Sequence, residues 1–84
     1  DEPQEAWVPG ALRLDRRTRM MYDDRHVFIN GESFRAGGAD ARLMRTLADH
    51  RALDARQVVR ASEGAQALLQ DWFDAGWLHR IDAV

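Results

Sequence analysis

The 84-residue chain has no cysteine, no lysine, only two prolines and no long apolar run. Without cysteine, disulfide staples and thiolate metal sites are excluded. No stretch approaches the ~20 apolar residues of a membrane-spanning helix, and no signal-peptide pattern opens the chain. A cytoplasmic protein without membrane contact is therefore expected. The absence of lysine leaves all 12 basic residues as arginine. Arginine favours bidentate contacts to carboxylate or phosphate, but heavy joint use of Arg and Ala is also a genomic compositional bias. A net charge of −2 provides no global attraction to nucleic acid.

What is present is enough for one small domain. A hydrophobic fraction of 45% argues against disorder, and the length lies near the lower end of what one core stabilises unaided. Residues 1–10 hold both prolines and read as a linker or lead-in, with Trp7 and Val8 placed to dock onto the domain. Residues 11–84 read as the domain itself, the C-terminal part of a longer protein.

Ala11–Leu14 alternates weakly and forms a first strand candidate. Arg19–Tyr22, His26–Ile29 and Glu32–Arg35 then predict an antiparallel β-meander, turning at Asp23-Asp24 and at Asn30-Gly31. Asn-Gly is the favoured pair for a type I′ hairpin, because both central residues need positive φ. After Gly37-Gly38 the period becomes helical. Asp40 is the expected N-cap of a helix buried through Leu43, Met44, Leu47 and Ala48. Asp54 and Gln57 form a capping box for a short helix carrying Val58 and Val59. Ser62 caps a third helix with the stripe Ala65, Leu68, Leu69, Trp72 and Phe73, which Gly76 terminates before an extended Trp77–Ile81. The predicted class is α+β and winged-helix-like: an N-terminal antiparallel β-meander, three helices and a short C-terminal strand.

Chemistry is hard to find. A non-haem iron site needs two histidines and a carboxylate, usually beginning His-x-Asp or His-x-Glu. His26, His50 and His79 are not so followed, and they fall on different elements. Ser62 has a capping role and Ser33 sits in a strand, neither in a Gly-x-Ser-x-Gly turn. Asp23-Asp24 reads as a turn rather than an acid pair. No catalytic, metal or cofactor residue is expected in this segment.

Interaction surfaces are the remaining candidates. Arg13, Arg16, Arg17 and Arg19 form a basic run offset only by Asp15, and with Arg25 and Arg35 it is expected to give the sheet a positive face. Groove-reading proteins place basic and amide side chains on the inserted helix. Here the third helix carries Glu63, Asp71 and Asp74 without a single base, so DNA is not the expected partner. Arg42, Arg45, Arg51, Arg56 and Arg60, interleaved with Asp40, Asp49 and Asp54, read as a solvated, salt-bridged surface. Adjacent aromatics Trp72 and Phe73 point about 100° apart on a helix, so one belongs in the core and one can meet a partner.

Met21-Tyr-Asp-Asp-Arg-His-Val-Phe-Ile-Asn-Gly-Glu32, Leu43…Leu47-Ala48…Leu53, and Leu69-Gln-Asp-Trp-Phe-Asp-Ala-Gly-Trp-Leu78 together resemble the C-terminal winged-helix region of bacterial ribosomal oxygenases. These are JmjC-type, cupin-fold, Fe(II)- and 2-oxoglutarate-dependent enzymes. The resemblance runs from about Leu12 onward. It implies a parent with a catalytic barrel, a helical dimerisation segment and this domain last, acting on an arginine of a ribosomal protein. Fe(II) and 2-oxoglutarate belong to the parent's barrel, so no catalytic residue carries over. Three readings follow: a non-catalytic module that packs against or directs a parent hydroxylase; a nucleic-acid-binding module, for DNA or ribosomal RNA, using the Arg13–Arg19 face; and a stand-alone protein-interaction domain.

Overall fold

A computed structural model describes residues 9–81, arranged as an α+β domain with two small antiparallel sheets. The elements run β1 (Leu12–Leu14), β2 (Met20–Tyr22), β3 (His26–Ile29), β4 (Glu32–Arg35), α1 (Gly38–His50), β5 (Ala52–Leu53), α2 (Ala55–Val59), α3 (Glu63–Asp74) and β6 (Leu78–Arg80). The expected class is thus observed. The position expected for Trp7 and Val8 lies outside the described residues.

The meander forms as its turns dictate. β2 pairs with β3 and β3 with β4, with Ile29 opposite Glu32 across the two-residue turn. Asn30 and Gly31 take φ values of 46° and 87°, both positive as a type I′ turn requires. Asp23 builds the other turn by accepting from the backbone N–H groups of Arg25 at 2.9 Å and His26 at 2.7 Å. Alternation then sends Met20, Val27 and Ile29 inward against α1.

β1 does not join this ribbon. It is the central strand of a second sheet, ordered β5-β1-β6, with Leu12 opposite both Leu53 and Arg80. β5 is a strand the sequence reading missed; two residues cannot display a period.

Helix ends match the capping chemistry, with one correction. The Asp54–Gln57 capping box closes in both directions, at 2.9 and 2.7 Å. Ser62 Oγ accepts from Ala65 N–H at 3.1 Å. At the far end of α3, Gly76 N–H donates to Phe73 O and Trp77 N–H to Trp72 O, the paired bonds of a Schellman motif, with Gly76 at φ +83°. Asp40, however, is not the cap of α1. The helix starts earlier, after Gly37 and without a side-chain cap, so Asp40 falls in its first turn. Its carboxylate instead accepts from Ser62 Oγ at 2.9 Å, tying the starts of α1 and α3 together.

The core draws on every layer: Leu12, Ile29, Met44, Leu47, Leu69 and Trp72 are at most 2% exposed. On α2, Val58 is fully buried and Val59 points outward at 60% exposure.

Candidate interaction surfaces

The buried stripe of α3 determines what its other side presents. With Ala65, Leu69 and Trp72 in the core, Glu63, Ala67, Gln70, Asp71 and Asp74 are exposed. Their spacing places them on one side of a 3.6-residue helix. The outward face is therefore acidic, with no basic residue in its last turn. Such a face repels phosphates.

The basic run lies elsewhere. Arg13 projects from β1, Arg16 and Arg17 occupy the turn that follows, and Arg19 leads into β2; all four are exposed. The intervening acid is already engaged. Asp15 Oδ1 lies 2.6 Å from His79 Nε2, and Oδ2 accepts from Arg17 N–H at 3.0 Å. The hydrogen bond to His79 is the larger cause of a carboxyl pKa below its ordinary value, and the Arg17 N–H the second. Arg25 and Arg35 do not extend this run along one sheet. They sit beside each other at the opposite end of the ribbon, where His26 pairs with Arg35, and β1 with Arg13 belongs to the other sheet.

The expected salt-bridged surface is also revised. Among the described residues, Arg42, Arg45, Arg51, Arg56 and Arg60 show no carboxylate within 4.0 Å. Arg51 donates instead to the backbone carbonyls of Asp15 and Thr18, both at 2.9 Å, while Arg45 lies over the Tyr22 ring at 5.6 Å.

Of the aromatic pair, Trp72 is a core residue at 2% exposure, its ring edge-on to Phe34 at 5.5 Å. That removes it from the candidate surface. Phe73 is half-buried against the core.

The family model for the ROXA-like winged helix matches residues 1–79. The chain belongs to this family. The match agrees with the expected likeness to the winged helix of ribosomal oxygenases. No curated protein and no solved structure matches the chain.

In this ROXA-like winged helix the described residues hold no group of three His, Cys, Asp or Glu placed to bind a metal. One exposed apolar feature was not singled out from the sequence. Met21 and Phe28 face each other across β2 and β3 on the side of the ribbon turned away from α1. With Arg17, Arg19, Asn30 and Gly31 they line a shallow groove of about 430 Å³. The signal was available: once Met20, Val27 and Ile29 point inward, their neighbours must point outward. On the inward side, Tyr22 O–H donates to Asp49 at 3.0 Å, and that bond chiefly raises the phenol pKa.

Proposed function

We propose that the chain is a non-catalytic accessory domain of a 2-oxoglutarate-dependent ribosomal protein hydroxylase, packing against or helping to direct the catalytic part of the same protein. The family match over residues 1–79 carries this reading. The acidic outward face of α3 supports it, since the helix is unsuited to the major groove but able to meet basic protein surface. Partners on this reading are the parent's catalytic and dimerisation domains and its ribosomal protein substrate, in the cytoplasm. Fe(II) does not fit the donor set of this segment, because no three His, Cys, Asp or Glu side chains converge among its described residues. On this reading Fe(II) and 2-oxoglutarate are held by the parent's barrel, and no step is assigned to this domain.

Two measurements test the reading. The reading frame upstream of Asp1 should encode a His-x-Asp or His-x-Glu motif and a distant histidine on predicted strands; a frame lacking them would sink the proposal. Removing this domain from the intact protein should lower ribosomal-protein hydroxylation, while added isolated domain shows no turnover of its own. Unchanged hydroxylation after removal would eliminate the directing role.

A further inference from the structure

We propose that the outer face of the β2–β3–β4 ribbon binds single-stranded nucleic acid, with Phe28 and Met21 stacking bases and Arg17, Arg19, Arg25 and Arg35 holding the backbone. This stands apart from the hydroxylase reading. It also uses a different surface and a different ligand form from a helix in the major groove of a duplex.

The register places the parts. Met21, Phe28 and Ser33 lie opposite one another and point away from α1, because Met20, Val27 and Ile29 are the buried set. His26 and Arg35 face each other one step along on that same side. The His26 ring lies 6.1 Å from Phe28, tilted by 32°, so two rings form a small platform. Met21 beside it is 67% exposed. Among the described residues, no other element covers the groove that Met21 and Phe28 share with Arg17 and Arg19, and no carboxylate lines it.

Cations bracket this platform. Arg17 and Arg19 stand at one end of the ribbon, and Arg25 and Arg35 at the other. Among the described residues none of the four guanidinium groups has a carboxylate within 4.0 Å, although the backbone N–H groups of Arg17 and Arg25 donate to Asp15 and Asp23. Asp23 and Asp24 share the Arg25 end, but Asp23 is engaged with the N–H groups of its own turn. Strands of four residues rise about 13 Å, so the bracket matches an extended strand lying along the ribbon.

Two features favour a nucleic acid strand over an acidic protein. Stable protein interfaces bury roughly 800 Å² per partner around an apolar centre, and Met21 with Phe28 is too small a centre for that. Single-strand binding instead draws on backbone charge and a few stacked bases, and sheet-borne aromatics flanked by arginine supply both. A duplex hides its base faces and cannot use the platform.

Fluorescence anisotropy on the 84-residue chain tests this, using labelled RNA and DNA single strands of about 12 nucleotides, the matching duplex, and a poly-glutamate peptide. Either single strand should bind at ~50 mM salt and weaken steeply by ~200 mM, with the duplex about tenfold weaker. Arg17→Ala/Arg19→Ala should reduce affinity about tenfold and flatten the salt slope by roughly 0.7 per arginine. Phe28→Ala should reduce affinity about tenfold with the slope unchanged, the signature of lost stacking. Met21→Glu leaves the core untouched and should abolish binding, whereas Arg56→Ala on α2 should change nothing. The proposal is overturned by absence of single-strand binding at low salt, or by Met21→Glu binding normally. Equal or tighter binding of poly-glutamate would also overturn it, assigning the face to acidic protein.

Discussion

The two sheets are built on opposite plans. In the β2–β3–β4 ribbon each pairing closes across a short turn, at Asp23–Arg25 and at Asn30-Gly31. In the β5-β1-β6 sheet, Leu12 must find Leu53 and Leu14 must find Leu78 before any ladder bond forms. Closing long loops costs more chain entropy than closing short ones, and only contacts made afterwards offset it. The ribbon is therefore specified by turn chemistry, and the second sheet by the packing around it. The ribbon also keeps one face open, whereas the second sheet is tied to its surroundings by backbone bonds. Leu14 N–H donates to Arg51 O at 2.9 Å, Asp15 N–H to Trp77 O at 2.8 Å, and Thr18 Oγ1 to Trp77 O at 3.0 Å.

The strongest way to break this contrast is at the joint between the parts. Trp72→Ala removes the ring that packs against Phe34 of β4 from α3, and should cost about 3–5 kcal/mol. Against a total of ~5–15 kcal/mol for an ordinary domain, that leaves both sheets close to unfolding together. Denaturant titration should show one transition at a lower midpoint. Two separate transitions would mean the ribbon folds independently. Trp72→Phe should be much milder, because the lost indole N–H is buried without a hydrogen-bond partner among the described residues.

Arg51 comes next. It ends α1 at φ 57°, and its guanidinium holds the carbonyls of Asp15 and Thr18 in the segment joining the two sheets. Arg51→Ala should cost about 1–2 kcal/mol. Amide exchange should quicken at Arg16 to Arg19 and in β1, with β3–β4 amides nearly unchanged. Uniform acceleration would refute the local coupling.

Gly31→Ala sharpens the contrast from the other side. A Cβ at φ +87° meets no neighbour but strains the backbone, at about 1–2 kcal/mol. Exchange should quicken in β3 and β4 while β1–β6 amides keep their protection. Equal loss in both sheets would show that the ribbon is not specified by its own turn.

The smallest effects are pH-dependent. Asp15, held by His79 and then by Arg17 N–H, and Asp23, held by the N–H groups of Arg25 and His26, have pKa values below the ordinary 3.8. Depressed carboxyl pKa values contribute stability that is fully present above the unfolded value and lost as pH falls through the folded one. Acid titration below about pH 4 should therefore weaken β1's anchoring through Asp15 and the ribbon turn through Asp23. Asp15→Asn and Asp23→Asn should each flatten one of these losses. At the basic end the Tyr22 pKa is raised, first by its bond to Asp49. That contribution is present below the unfolded pKa near 10 and disappears as pH rises through the higher folded value. Tyr22→Phe should remove the basic-limb dependence and little else.

Much of the fold was legible because it rests on short-range chemistry. Asn30-Gly31, the Asp54–Gln57 box, Ser62 and Gly76 each act on backbone groups a few residues away, so their geometry follows from spacing alone. Asp40 misled for the same reason: an acid near a helix start resembles a cap, but only the fold shows that it serves Ser62 instead. The acidic side of α3 was readable from its apolar stripe, whereas the Met21–Phe28 face required applying the ribbon's alternation to the residues left outside.

By itself, then, the sequence determined the start of α2, both ends of α3, the hairpin, the acidic outward stripe and the family likeness. Each depends on neighbours within about one helical turn or one strand pair. Tertiary structure alone decided that β1 sits between β5 and β6. It also decided that Arg51 binds carbonyls rather than carboxylates and that Trp72 rather than Phe73 fills the core. The physical reason is common to all three: each is settled by contacts between segments far apart in the chain, where local propensity is silent.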